Sequence, residues 1–234
     1  MPARSHPPSA ANRRSFTREG GAQRREDLIA ATLDAIAAAG TAGATVRMIA
    51  RRAGVTPGLI RHYFNTKNDL ITAAYGRLMD DMTGASAAGL AQGAASAADR
   101  LVSFVVAAVS APVVDPRSLA LWAGFIQMGL QDSEMRAVHA RTYLGFRDEL
   151  QSLIDAALRA EGRVCDPATL RRHAIACNAV IDGLWLEGSA LPDWFVPGEL
   201  PAIVVTSVGA ILGIALRPPA PTHPEILPQP SEEP

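Results

Sequence analysis

Residues 49–70 read IARRAGVTPGLIRHYFNTKNDL, a stretch that gathers the groups with which a protein grips an anionic polymer. Arg51, Arg52, Arg61 and Lys67 are cations, and Lys67 is the only lysine of the 234 residues. Thr56 carries a hydroxyl, His62 and Tyr63 carry polar aromatic edges, and Gly58 leaves backbone open to close approach. A guanidinium reads guanine O6 and N7 bidentately, while hydroxyls and backbone N–H groups at helix N-termini hold phosphate. The formal net charge is only −1, but its distribution is uneven. Residues 1–67 hold eleven Lys/Arg against four Asp/Glu, and residues 68–234 hold eleven against nineteen. A basic head on an acidic body indicates an anionic polymer as the partner of the head.

The elements that must position these groups follow from periodicity. Apolar residues recur at helical spacing and no stretch alternates like a strand, so the fold class is all-α. A first helix is expected from about Arg24 to Ala39, with Ile29, Leu33 and Ile36 on one face and Gly40 as its stop. A second starts at Thr45 as N-cap and places Val46, Ile49, Ala50 and Ala53 on one stripe, leaving Arg47, Arg51 and Arg52 off it. Gly54 breaks that helix, and Thr56-Pro57 starts the next as an N-cap with proline at N1. Two short helices across a glycine turn make a helix-turn-helix. Leu59 or Ile60 and Phe64 would hold its second helix in place, with Thr56, Gly58, Arg61 and His62 facing outward. The second helix of such a motif lies in the major groove with phosphate contacts on its flanks. That geometry assigns Thr45 and Thr56 to phosphate, Arg61 to a guanine, and His62 and Tyr63 to the backbone or a base edge. A fourth helix begins at Thr66, where Thr66 and Asp69 form a capping box, and runs to about Met82. Residues 83–98, rich in Gly, Ala and Ser, are a linker or the frayed end of that helix. Further helices are expected at Asp99–Ser110, Pro116–Gln131, Glu134–Ala160, Pro167–Glu187 and Pro201–Leu216, the second and fourth opened by Asp-Pro pairs.

Other functions find little support. The start, MPARSHPPSAANRR, lacks the apolar core of a secretory signal. The most apolar run, Ala202–Leu216, is shorter than the roughly 20 residues of a membrane span. A cytoplasmic location without membrane association is expected. Cys165 and Cys177 have no metal-ligand spacing and are expected as buried thiols in a reducing compartment. There is no GxSxG, HExxH, Walker loop or GxGxxG, and the five histidines have no partner spacing. No catalytic residue, no metal site and no cofactor is therefore expected. A helical adaptor that binds only protein is the alternative to a DNA-binding regulator, with an enzyme behind it. The last helix is apolar nearly all round and must be buried, which points to a homodimer built from the last two helices, with burial inside one subunit as the other possibility.

The segment TVRMIARRAGVTPGLIRHYFNTKNDLI resembles the DNA-binding domain of TetR-type transcriptional repressors. Its Thr-led helix, A-x-x-A-G-V-like turn, T-x-G and H-Y-F-x-x-K-x-x-L follow that pattern from about Arg24 to Leu78. RREDLIAATLDAIAAAG, IARRAGVTPGLIRHYF and AVIDGLWLEGSAL further resemble the choline-responsive BetI branch. The resemblance implies double-stranded operator DNA as partner, with contacts from Thr45, Arg47, Thr56, Gly58, Arg61, His62, Tyr63 and Lys67. Pro57 and Arg61 depart from other members, so the operator sequence does not carry over. The implied organisation is a disordered basic arm over 1–22, the helix-turn-helix domain over 23–70, a helical effector-binding and dimerisation domain over 71–217, and a disordered Pro-rich tail over 218–234. It also implies repression relieved by a small effector, either a choline-like cation or an apolar or amphipathic compound. Trp122, Phe125, Tyr143, Asp182, Trp185 and Glu187 are the candidate effector contacts, with Trp194 a further aromatic, because aromatic faces beside a carboxylate suit a quaternary ammonium. The aromatics at helical spacing could equally be core.

Overall fold

The computed structural model describes residues 10–90, 96–130 and 132–218, those of 10–19 and 85–90 by their backbone. Among the described residues the secondary structure is helical: α1 (Ala10–Gly43), α2 (Val46–Arg52), α3 (Pro57–Tyr63), α4 (Lys67–Leu90), α5 (Ala97–Ala108), α6 (Pro116–Gly129), α7 (Ser133–Ala160), α8 (Pro167–Ala190) and α9 (Glu199–Leu212), with a 3-10 turn at Pro192–Trp194. The chain divides into two units. The first comprises residues 1–80 and 120–141, the second residues 81–119 and 142–234.

In the first unit, α1 begins at Ala10 rather than near Arg24. Residues 10–22, expected as an unstructured arm, are helical; they contain no proline to interrupt the helix. The remainder of the expected arm, and the expected tail from residue 219, lie outside the described residues. Gly40 has φ 69°, ψ 171°, and this left-handed residue interrupts the helix where a stop was expected. Leu28, Ile29, Ala35 and Ile36 are buried, and the buried Thr32 hydroxyl donates to the Leu28 carbonyl at 2.7 Å. Ile49, Ile60, Phe64, Leu70 and Tyr75 close the core of the head. Burying each such large apolar side chain contributes about 1.5–3 kcal/mol. At the start of α4, Thr66 and Asp69 make the expected capping box: Thr66 N–H donates to Asp69 Oδ2 at 3.1 Å, and Asp69 N–H to Thr66 Oγ1 at 3.0 Å. Asp132 caps α7 by accepting from Glu134 and Met135 N–H, and the Asn68 amide donates to it at 2.6 Å. Asn68 first, then those backbone donors, hold this carboxyl below the ordinary range.

The helical alternative for the Gly/Ala/Ser stretch holds through Leu90, and Ser96 then opens α5 with a capping box to Asp99. In the second unit α5, α8 and α9 pack together around Leu101, Phe104, Leu150, Ile154, Val204, Val208 and Leu212, all essentially inaccessible. Asp115 accepts from Ser118 N–H at 2.8 Å and Asp166 from Ala168 and Thr169 N–H at 2.9 and 3.0 Å, so both Asp-Pro starts lie where expected. The final helix is Glu199–Leu212 rather than Pro201–Leu216; Gly213 at φ 64° ends it, and Arg163 donates to the Leu212 carbonyl at 2.5 Å. Cys177 is buried as expected, whereas Cys165 is only half-buried because it lies on the α7–α8 turn just ahead of the α8 cap.

Candidate nucleic-acid interface and effector residues

The DNA-facing groups sit on α2, α3 and the start of α4. Thr45 caps α2, its Oγ1 accepting from Met48 N–H at 3.2 Å, and Thr56 caps α3 by accepting from Leu59 N–H at 3.4 Å. Each hydroxyl oxygen faces its own helix, which leaves the hydroxyl proton as the group able to donate to a phosphate. Between the helices Gly54 adopts φ 64°, and Val55 N–H donates to the Ala50 carbonyl at 2.9 Å, closing the turn. Ile49 and Ala50 of α2 and Ile60 of α3 face inward. That burial fixes the outward set: Arg47, Thr56, Gly58, Arg61 and His62 are exposed, and Tyr63 and Lys67 are half-buried. His62 and Tyr63 meet edge to face, ring centroids 5.2 Å apart. Arg25 of α1 lies over the Phe64 ring at 5.1 Å, a cation–π contact that fastens the end of α3 to α1. Nothing in the local motif points to Arg25; the contact arises only when α1 folds against the α3–α4 turn.

The candidate effector residues are divided between the two units. Phe125 is fully buried in the first unit, its ring centroid 4.8 Å from that of Tyr75, and this packing makes it core. Trp122, half-buried, belongs to the same unit. In the second unit Trp185 is buried and its indole N–H donates to the Val113 carbonyl at 2.9 Å. Glu187 is exposed, and so is Trp194, at 79%. Tyr143 and Asp182, in contrast, come together: the Tyr143 hydroxyl donates to Asp182 Oδ2 at 2.5 Å. The Asn178 amide donates to the Tyr143 hydroxyl at 2.6 Å and to Asp182 Oδ2 at 2.9 Å. Burial first, then the Asp182 carboxylate, push the Tyr143 phenol up to about 12, so it remains a donor at neutral pH. Asn178 is 2% exposed and its Oδ1 has no hydrogen-bond partner. Sequence reasoning missed Asn178, although it lies one turn before Asp182 on the same helix face, a spacing that could have flagged it.

An all-helical chain whose basic head presents a helix-turn-helix with an outward Thr, Gly, Arg and His defines a DNA-binding regulator. Residues 28–74 match the bacterial regulatory proteins of the tetR family, and residues 97–213 match the BetI-type transcriptional repressor C-terminal domain. The HTH-type transcriptional regulator BetI 2 of Chromohalobacter salexigens is 31% identical over 203 residues, covering 81% of this chain and 88% of that protein. A transcriptional regulator from Pseudomonas aeruginosa PAO1 has 29% identity and a TM-score of 0.75, covering 82% of this chain and 92% of that one. A regulator from Saccharomonospora viridis, solved in complex with choline, shares the fold at 19% identity and a TM-score of 0.65, covering 78% and 94% of the two chains. The chain belongs to the TetR family, with a BetI-type C-terminal domain, and is a transcriptional regulator rather than an enzyme.

Proposed function

We propose that this regulator is a cytoplasmic repressor that binds operator DNA as a homodimer and is released by a small effector held in its second unit. The observation that carries the DNA-binding half is the division of α2 and α3 into a buried face of Ile49, Ala50 and Ile60 and an exposed face of Arg47, Thr56, Gly58, Arg61 and His62. Among the described residues no helix is long and apolar enough to cross a membrane. An electrophoretic shift with DNA from upstream of its own gene tests this reading, and loss of the shift above moderate salt is expected because phosphate contacts release counterions. A failure to shift any such fragment at low salt would overturn it.

For the dimer we propose the outer faces of α8 and α9. Ala176, Ala179, Gly183 and Leu186 are exposed along α8, and Ile203 and Ala210 along α9, while Val204, Val205 and Val208 are buried within the subunit. Small residues along such a face permit close helix packing, and two heads spaced about 34–36 Å apart match a two-fold operator.

For the effector we propose a cation that also carries a hydrogen-bond donor, held by Asp182, Tyr143 and Asn178. The half-buried Asp182 carboxylate suits the positive charge, and the unpartnered Asn178 Oδ1 suits the donor. Choline, seen bound to the Saccharomonospora viridis regulator, has both features. Tetramethylammonium has only the charge. Calorimetry of the two against the purified protein separates the parts of this reading: choline is expected to bind more tightly, and equal binding removes the role of Asn178. Absence of heat from both at millimolar concentration removes the cationic effector. Release requires that the effector favour the conformation that fits the operator less well.

A further inference from the structure

We propose that the first unit carries a second ligand site, for a small zwitterionic carboxylate, in the cleft bordered by α1, the α3–α4 turn and the start of α7. The cleft has a volume of about 390 Å³, within the range of small-molecule sites. Its lining includes Arg25, Phe64, Thr72, Gly76, Glu134 and Arg141.

Three features distinguish it from an incidental groove. Thr72 is 7% exposed and its hydroxyl is buried without a partner. The ordinary outlet for a buried helical threonine is the carbonyl four residues back, as Thr32 uses in this same unit, and Thr72 does not take it. One turn later, Gly76 leaves space beside Val138, where an added Cβ would sit 3.8 Å from the Val138 methyl. The charges, finally, are balanced and come from three helices: Arg25 from α1 and Arg141 from α7 against Asp69 from α4 and Glu134 from α7. The Asp69 carboxylate is directed to the α4 cap, accepting from the Thr66 hydroxyl at 2.7 Å, which leaves Glu134 as the acceptor for a cationic group. Arg141 and the Thr72 hydroxyl are the donors for a carboxylate, with Arg25, which also pairs with Glu26 at 3.6 Å, a further cation. A dianion would meet two acids and a simple cation two arginines, so a ligand with one charge of each sign fits this lining best. Phe64, Ala73 and Val138 receive its short aliphatic middle. Tyr63, an expected phosphate contact, lines the same cleft, so occupancy bears on the head's grip on DNA without passing through Asp182.

Calorimetry on the full-length protein without DNA tests this independently of operator binding, with γ-aminobutyrate, butyrate and n-butylammonium as probes. Saturable binding of γ-aminobutyrate is expected, with each singly charged probe weaker by about ten-fold, the weight of one charged hydrogen bond. In the Asp182→Asn background, which removes the carboxylate of the proposed effector site, Thr72→Val, which keeps shape and removes the hydroxyl, and Arg141→Ala should each still weaken γ-aminobutyrate by a similar factor. No saturable heat from γ-aminobutyrate, or identical binding by both head variants, would overturn the site. Equal affinity for butyrate would overturn the zwitterion.

Discussion

Arg61 is the side chain on which sequence readout should turn, because it is exposed near the middle of α3 while its helix neighbour Ile60 is locked in the core. Arg61→Ala should weaken the cognate operator by about 1–3 kcal/mol and relax preference at one or two base pairs, measured by titration against a set of single-base operator variants. An unchanged preference would place readout elsewhere. Lys67 lies at the start of α4, outside the recognition helix. Lys67→Ala should weaken all sequences alike and reduce the salt slope by about one. The two cysteines should separate chemically: burial pushes the Cys177 thiol up to about 12, while Cys165 is half-buried. Iodoacetamide at neutral pH should label Cys165 and spare Cys177 until the protein is unfolded, as mass spectrometry would show.

The α2–α3 turn depends on Gly54, whose φ of 64° suits a residue without Cβ. Gly54→Ala should destabilise the head by about 1 kcal/mol or more, read as a lower denaturation midpoint, and should weaken operator binding because α3 loses its angle to α2. Thr56→Ala removes the α3 cap and should cost about 0.5–2 kcal/mol, whereas Thr56→Ser retains the capping oxygen and should cost little. If serine fails as badly as alanine, the threonine methyl rather than the cap is what matters.

Titration and assembly involve the molecule as a whole. Tyr75, Tyr143 and Cys177 each have a folded-state pKa raised to about 12, chiefly by burial. A raised pKa contributes stability that is complete below the unfolded value and is lost as pH climbs through the folded one. Stability should therefore decline from about pH 9 upward and flatten near pH 12, measured by urea unfolding at successive pH values, with Cys177→Ala removing the earliest part of the decline. Assembly should respond to a charge on the proposed dimer face. Ala179→Glu, at an exposed position of α8, should yield a monomer by sedimentation and lose most operator affinity while keeping the helical spectrum. A stable dimer in that variant would move the interface off α8.

Sequence alone determined the features that depend on neighbours within one helical turn. Thr45, Thr56, Asp115 and Asp166 as caps, Gly40 and Gly54 as breaks, and the outward face of Thr56, Gly58, Arg61 and His62 follow from capping chemistry and the 3.6-residue period, and they suffice for the fold class and the DNA-binding motif. Tertiary structure decided which aromatic residues are core and which polar groups meet. Phe125 and Trp185 looked like Tyr143 in composition, but Phe125 packs on Tyr75 and the Trp185 indole bonds to Val113, 72 residues earlier in the chain. The Tyr143–Asp182 bond spans 39 residues and the Arg25–Phe64 contact a similar distance. Such pairings depend on how whole helices pack, and hydrophobic period fixes the face a residue occupies without fixing what lies opposite it.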